Sequence, residues 1–177
     1  MIADELLECF DDKEKVIEPK LRGELHTKPY STWHGVCNVW IVNIKGELLC
    51  SKRADFVSGN PGKWQTYFGG HVKAGSNFLQ TAVAELSEEI GLNISPDNLH
   101  LIEKGRDSEY KHIFNNYTYL FNGTLDDLHF QDGEVTEVKW YLFEEYYQDK
   151  MSHPDKWCNE IEPEQYEALR RLISKRP

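Results

Sequence analysis

Three glutamates in one short stretch of the chain have a spacing that brings carboxylates together. Glu85, Glu88 and Glu89 lie three and four residues apart, so on a helix their side chains share one face. Three converging carboxylates repel one another, and an oxygen-ligated hard cation such as Mg²⁺ relieves that repulsion. Solvated helix faces carry the same pattern, so the neighbouring residues must decide between a metal site and a plain surface.

The residues around the three glutamates predict a helix that is entered through a glycine-rich turn. Ser76 or Asn77 can cap its start, because a short polar side chain accepts a hydrogen bond from an exposed backbone N–H. Gly91 can end it, because glycine adopts the left-handed conformation without steric penalty. Apolar residues at helical spacing predict a buried face: Leu79, Ala82, Val83, Leu86 and Ile90. The glycines of the preceding turn are Gly69, Gly70 and Gly75.

This stretch resembles the Nudix box, Gx5Ex7REUxEExGU, in which U is an aliphatic residue. The resemblance implies a hydrolase that depends on Mg²⁺ or Mn²⁺ and acts on acid anhydrides, cleaving the diphosphate linkage of a nucleoside diphosphate derivative or related metabolite. It also implies that the metal is held by Glu85, Glu88, Glu89 and the backbone carbonyl of Gly69. The matching residues are Gly70, Glu85, Leu86, Glu88, Glu89, Gly91 and Leu92.

Two positions depart from the box. Ser76 stands where the box has a glutamate, and Ala84 stands where it has an arginine. Since Ala84 and Glu88 are four residues apart, a stabilising arginine–glutamate pair is lost. The two missing groups carry opposite charges and all three carboxylates remain, so we interpret the box as altered but still able to bind metal. The alternative is a Nudix-fold module that binds a nucleotide or a protein without turnover.

A longer part of the chain resembles the isopentenyl-diphosphate isomerase branch of the same superfamily. The resemblance rests on ELH at 24–26, WHGVCNVWIVN, GELLCSKRA and PGKWQTYFGGH. It implies that histidines such as His26, His34 and His71 hold a metal together with two glutamates, and that a cysteine takes part in the reaction.

Three parts of that isomerase site are missing from this sequence. Gly69 occupies the cysteine position, the strand at 113–117 carries no carboxylate, and Val57 and Ser58 replace the expected lysines. Isomerisation is therefore not the predicted function. Whether the three histidines hold a second metal stays open, because a zinc site needs about four convergent ligands. Cys37 cannot join His34 locally, since residues three apart on a strand point to opposite faces.

Candidates for substrate handling lie outside the predicted helix. Arg53, Lys52 and Lys63 flank a glycine-rich loop and can bind a phosphate, arginine through a bidentate fork and lysine as a point charge. They can equally be solvated loop charges. Glu134 precedes the last predicted strand, and either it or one of the three box glutamates serves as the general base. The resemblance does not decide which.

Length, composition and charge set the remaining limits. The chain has 177 residues, which fits a single Nudix domain over 1–177. Twenty basic and thirty acidic residues give a net charge of −10, which disfavours nucleic acid and anionic membranes as partners and favours a small-molecule diphosphate. We find no apolar run of the roughly 20 residues that a membrane span needs. The scattered cysteines and acidic N-terminus predict a cytoplasmic protein.

The order of predicted elements indicates an α/β fold. Short strands precede and follow the box helix, and further helices are predicted at 144–150 and 163–175. This order predicts a Nudix-type α/β/α sandwich around a mixed sheet, which the family resemblance also implies. The predicted strands are 4–10, 15–21, 34–43, 47–53, 64–68, 99–105, 111–121 and 135–143.

Overall fold

The computed structural model describes residues 4–57, 59–130 and 133–158. Within these ranges the chain forms eight strands and three α-helices. The strands are β1 Leu6–Phe10, β2 Val16–Leu21, β3 Trp33–Val42, β4 Glu47–Arg53, β5 Trp64–Gln65, β6 His100–Asp107, β7 His112–Leu120 and β8 Val135–Leu142. The helices are α1 Arg22–Leu25, α2 Phe78–Ile90 and α3 Phe143–Ser152.

Strand β3 is the centre of one mixed sheet. It runs parallel to β7, from the pair His34–His112 to the pair Val42–Leu120, and antiparallel to β1 and β4. The sheet extends through β1 to β2, through β7 to β6, and through β4 to β5 and β8. The parallel pairing of β3 with β7 brings the start of β7 beside the start of β3, and this has consequences for the site.

Alternation along β3 explains the layers on the two sides of the sheet. Its odd positions Cys37, Val39 and Ile41 pack with the buried face of α2. Its even positions Trp40 and Val42 pack on the other side, in a cluster that also holds Tyr146 of α3 and Trp157. Because side chains of a strand alternate between faces, one strand serves both layers. The predicted α/β/α sandwich is therefore confirmed.

Helix α2 has the boundaries that its flanking residues dictate. The side chain of Asn77 accepts a hydrogen bond from the backbone N–H of Gln80 at 3.0 Å, and the Gln80 side chain accepts one from the Asn77 N–H at 3.2 Å. This is a capping box, so Asn77 rather than Ser76 is the N-cap. Gly91 ends the helix with φ of 72°.

The other predicted elements agree with the structure to differing degrees. The strand predicted over 64–68 is confined to β5, and the short helix predicted over 144–150 extends by one or two residues at each end. Helix α1 was not predicted, because four residues are too few to show a helical period. The predicted helix at 163–175 lies outside the described residues. Among the described helices, none is long and apolar enough to cross a membrane.

The carboxylate of Asp149 in α3 holds the segment that follows this helix, through Lys156 and Trp157. Asp149 accepts a hydrogen bond from the indole N–H of Trp157 at 3.0 Å and also contacts the ammonium group of Lys156. Trp157 is only 2% exposed and packs against the rings of Tyr141 and Tyr146. The buried indole N–H therefore depends on Asp149 for its acceptor.

We expect Asp149→Ala to lower the free energy of unfolding by about 1–3 kcal/mol, the cost of leaving a buried donor without its acceptor. Asp149→Asn keeps a side-chain oxygen for the indole and should lose less. Urea unfolding followed by tryptophan fluorescence measures both. Asp155→Ala, at an exposed position, is the control, and an Asp149→Ala midpoint equal to that of the control would contradict the role of this carboxylate.

Candidate active site

The glycine turn before α2 lies directly against the first of the three glutamates. A Cβ atom on Gly70 would lie 2.3 Å from Oε1 of Glu85 and 2.6 Å from its carboxyl carbon. One residue earlier, Gly69 has φ of +155°, and a Cβ there would lie 2.0 Å from the carbonyl oxygen of Cys37. The position of Gly69 therefore requires glycine, because a side chain there would meet the backbone of β3, whereas a side chain at Gly70 would displace the carboxylate of Glu85.

The environment of Glu85 opposes its negative charge. The pKa of this carboxyl is raised to about 7: burial is the largest cause, the negative charges of Glu88, Glu134 and Glu5 add to the rise, and Lys73 acts against it. An ionised group in this position is stabilised by a nearby cation. Carboxylate oxygens are the donors that a hard divalent cation such as Mg²⁺ or Mn²⁺ prefers, so the chemistry of these side chains fits such an ion.

The other two box glutamates differ in exposure. Glu89 is only 5% exposed, whereas Glu88 lies at the surface with its Oε2 atom 3.8 Å from the ammonium nitrogen of Lys73. The same nitrogen lies 3.6 Å from Oε1 of Glu5. Lys73 was not singled out in the sequence, yet it places a cation beside Glu88 in a chain that lacks the box arginine.

Glu134 lies close enough to the box glutamates for its charge to raise the pKa of Glu85. Its position is set by the backbone, since its carbonyl oxygen accepts a hydrogen bond from the N–H of Ala54 at 2.8 Å. The sequence places Glu134 some distance from α2, and the fold brings its charge within reach of the same site. Its predicted role as a base stays a prediction.

The three candidate phosphate-binding cations surround one loop. The guanidinium of Arg53 donates to the carbonyl of Gly59 at 2.7 Å and to the side-chain oxygen of Gln65 at 3.0 Å, so it holds the loop against β5. Lys63 is tied to the same place, because its carbonyl accepts the Arg53 N–H at 2.8 Å. Lys52 lies opposite Trp64 in the pairing of β4 and β5. Arg53 thus orders the loop, and a phosphate contact by any of the three stays a prediction.

The three histidines of the sequence analysis come together, and a fourth joins them. His26, His34 and His71 form one cluster with His112, the first residue of β7. No local pattern in the sequence marks His112 as a ligand. It joins the cluster because β3 pairs in parallel with β7, which puts His112 directly opposite His34.

The fold and this site define the class of protein. A mixed sheet lies between two helical layers, and a glycine turn presses against a helix that carries three glutamates. The NUDIX domain family model matches residues 32–159. The chain therefore belongs to the Nudix family.

Several relatives agree with this assignment. The chain is 31% identical over 146 residues to an uncharacterised Nudix hydrolase of Clostridium acetobutylicum, covering 76% of this chain and 68% of that protein. It is 27% identical over 143 residues to isopentenyl-diphosphate Delta-isomerase 2 of Photorhabdus laumondii, covering 77% of each. The chain spans 18%, 62% and 65% of the length of three further curated Nudix relatives.

Solved structures share the architecture. The crystal structure of DR0079 from Deinococcus radiodurans superposes with a TM-score of 0.70 at 20% identity, covering 94% of this chain and 98% of that one. At this identity the likeness concerns the fold.

Proposed function

We propose that this protein is a metal-dependent hydrolase that cleaves the diphosphate linkage of a nucleoside diphosphate derivative or a related metabolite. The observation that carries the proposal is the contact of Gly70 with the carboxylate of Glu85, at a site where burial and neighbouring charges hold the pKa of that carboxyl at about 7. Such a carboxylate has little reason to be buried among other carboxylates unless a cation is to join them.

Glu85, Glu88, Glu89 and the backbone carbonyl of Gly69 would hold the divalent cation. When bound, Mg²⁺ or Mn²⁺ supplies Lewis-acid polarisation of the diphosphate and lowers the pKa of water at the site. The role of the chain is to fix these oxygen donors: the capping box and Gly91 set the ends of α2, and the apolar face holds it on the sheet. Arg53, Lys52 and Lys63 would contact the substrate phosphates from the loop side.

A carboxylate must also accept the proton of the attacking water. Glu85 with its pKa of about 7 is suited to hold a proton near neutral pH. A bound cation would favour its ionised form, which leaves Glu134 as the candidate base outside the helix. The general base is one of four glutamates: Glu85, Glu88, Glu89 or Glu134.

Charge and cysteine content also bear on the partner of this protein and on its cellular compartment. We infer that residues 1–177 act as one domain, since the hairpin β1–β2 precedes the family match and still joins the same sheet. The net charge of −10 favours a small-molecule diphosphate over nucleic acid or an anionic membrane. All four cysteines are thiols, which agrees with a cytoplasmic setting.

A substrate panel at varied Mg²⁺ concentration tests the proposal. Nucleotide sugars, dinucleoside polyphosphates and nucleoside di- and triphosphates are incubated with the full chain, and cleavage is followed by phosphate assay and chromatography. We expect hydrolysis of at least one class, dependent on Mg²⁺ or Mn²⁺ and abolished by EDTA. The absence of turnover on every class, with Mg²⁺-dependent nucleotide binding retained, would favour the second candidate, a non-catalytic binding module. Ser76 and Ala84 at the two altered box positions are the observation that favours that candidate.

We expect no isomerisation of isopentenyl diphosphate. The position of the isomerase cysteine is Gly69, whose tight fit against the carbonyl of Cys37 leaves no room for a side chain. Strand β7 carries asparagines and no carboxylate. A coupled assay for dimethylallyl diphosphate checks this, with a bacterial isomerase as the positive control, and product above background would contradict the prediction.

A further inference from the structure

A cluster of four histidines lies apart from the box glutamates. His26 follows α1, His34 lies in β3, His71 follows the glycine turn and His112 begins β7. One ring nitrogen of each lies within 4.8 Å of the corresponding nitrogens of the other three. Four separate segments of the chain thus bring one imidazole each to a common point.

The innermost member of this four-histidine cluster is prepared as a ligand. His34 is 0% exposed, and its Nδ1 atom lies 3.4 Å from the carbonyl oxygen of Thr32. With Nδ1–H donating to that oxygen, the lone pair is on Nε2. Within the described residues, Nε2 of His34 is buried and has no hydrogen-bond partner. A buried nitrogen of this kind costs stability, and a metal ion at Nε2 would remove that cost.

The remaining geometry resembles a first coordination shell. The Nε2 atoms of His26 and His71 are 3.0 Å apart. The ring of His34 lies edge-on to that of His112, with centroids 4.7 Å apart. Around a tetrahedral zinc ion with Zn–N bonds of about 2.0–2.1 Å, neighbouring nitrogens are about 3.3 Å apart. The nitrogens of the cluster are at most 4.8 Å apart, so side-chain movement has to bring the widest pairs closer to close the set on an ion.

The surroundings keep the four imidazoles in the neutral form that binds metal. Loss of solvent contact is the main cause in every case, even for His26, whose side chain is exposed: it lowers the pKa of His34 to about 4, and it also lowers the pKa values of His26, His71 and His112. A neutral imidazole binds a metal ion without first losing a proton, so protons compete less with the metal for the same lone pairs.

Charges near the cluster offset one another. Arg22 contributes to the lowered pKa values of His26 and His71, but its guanidinium is paired with Glu5 at 3.3 Å. Asp107 lies opposite His112 in the pairing of β6 and β7, and its charge acts to raise the pKa of His112. A carboxylate beside a ligating imidazole supports metal binding from the second shell.

We propose that the four-histidine cluster is a structural site for a borderline divalent transition metal, with Zn²⁺ as the expected occupant. Imidazole donors suit zinc, copper, nickel and cobalt, whereas Mg²⁺ prefers oxygen. Four protein ligands close the coordination sphere, which is typical of structural zinc rather than catalytic zinc. The site thus differs from the isomerase arrangement of histidines with glutamates, and it does not depend on hydrolysis at the box.

The metal would join four separate segments of the chain. It would fasten the turn after α1 to β3 and β7, and both to the glycine turn, since His71 directly follows Gly70. The contact of Gly70 with Glu85 makes the glycine turn a shared border of the two sites. Binding at the four-histidine cluster should therefore raise the melting temperature of the chain.

Metal binding by the full-length, metal-stripped protein tests the proposal. We expect the wild type to retain one equivalent of Zn²⁺ per chain after desalting, measured by elemental analysis. Co²⁺ should give the intense visible absorption of a tetrahedral nitrogen-ligated ion, and Zn²⁺ should displace it. His26→Gln and His112→Gln should each lower Zn²⁺ affinity by at least about 100-fold, since three ligands replace four.

Two controls separate this site from other binding. His129→Gln removes an exposed histidine outside the cluster, and the double variant Glu88→Gln/Glu89→Gln weakens the carboxylate site. Both should keep one equivalent of Zn²⁺ and the cobalt spectrum. His26 is exposed, so its replacement should leave the circular dichroism spectrum unchanged.

A wild type that retains no zinc, or that gives only the weak spectrum of octahedral cobalt, would overturn the proposal. So would histidine variants that bind zinc as tightly as the wild type. The cobalt spectrum of the wild type decides the matter even if a variant fails to fold. Because no step of this test involves a diphosphate substrate, failure of the hydrolase proposal would leave its result intact.

Discussion

Glu89→Gln is expected to lower kcat/KM for the diphosphate substrate by at least about 100-fold at saturating Mg²⁺, and Glu88→Gln should have a smaller effect of the same kind. A 100-fold loss corresponds to about 2.7 kcal/mol of transition-state stabilisation. Glu89 is nearly buried, whereas Glu88 is exposed and lies beside Lys73. Glutamine keeps the size of the side chain and removes the charge, so the fold should persist.

The difference between the two glutamates follows from solvent access. A buried carboxylate acts in a medium of low effective dielectric, where its interaction with a cation is strong. Water and Lys73 both weaken the contribution of an exposed carboxylate. The dependence of kcat/KM on Mg²⁺ concentration measures this directly, because a weakened ligand shifts the midpoint to higher Mg²⁺ before it affects the rate at saturation.

Glu18→Gln is the matched control, since Glu18 is an exposed glutamate on β2 that should not affect either parameter. If Glu88→Gln and Glu89→Gln both turn over at the wild-type rate with an unchanged Mg²⁺ midpoint, the box glutamates do not form the metal site.

Glu85→Gln is expected to stabilise the metal-free protein at pH 8 by up to about 3 kcal/mol. The folded state holds the pKa of Glu85 at about 7, above the ordinary value of 4.5. Each unit of such a shift corresponds to about 1.36 kcal/mol. Removing the carboxyl removes the cost of burying its charge among Glu88, Glu134 and Glu5.

The sign of the pH dependence follows from linkage. In the unfolded chain Glu85 ionises near 4.5, whereas in the folded chain it keeps its proton up to about pH 7. The folded state therefore binds the extra proton, and stability falls as pH rises through this window. In EDTA, Glu85→Gln and the wild type should have the same free energy of unfolding at pH 4. Between pH 4.5 and 7 the variant should become progressively more stable than the wild type, and above pH 7 this gap should stay constant.

Chemical denaturation at several pH values in EDTA measures this gap, with Glu18→Gln as the control. Excess Mg²⁺ should narrow or reverse it at pH 8, because the cation stabilises the ionised carboxylate of the wild type only. A gap that does not change with pH would mean that folding does not shift the pKa of Glu85.

The sequence was most informative where the determinants of structure are local. The ends of α2 depend on Asn77 and Gly91, each within one residue of the helix, and the alternation in β3 depends on neighbouring residues. These features were predictable because a capping side chain or a left-handed glycine acts on its own turn. The position of the box glutamates on one face of α2 was predictable for the same reason, since it needs only one helix; their role as metal ligands stays a prediction.

Features that depend on strand pairing were not predictable in this way. His112 joins the histidine cluster because β7 runs parallel to β3, and no local pattern around His112 indicates that neighbour. Lys73 was missed because its contact with Glu88 requires the path of the glycine turn. Arg53 shows the converse: its charge suggested a phosphate ligand, but the structure also uses its guanidinium to hold the carbonyl of Gly59.

A series of ion pairs that begins at Arg22 determines how far the chain can be truncated. Arg22 pairs with Glu5, Glu5 lies 3.6 Å from Lys73, and Lys73 lies 3.8 Å from Glu88. The family match begins at residue 32, so an expression fragment cut at that boundary would keep every box glutamate. It would nevertheless discard Glu5 and Arg22, and with them His26 of the histidine cluster. A fragment that begins at residue 32 would therefore lose the contacts through which Glu5 and Arg22 reach Lys73 and, through it, Glu88.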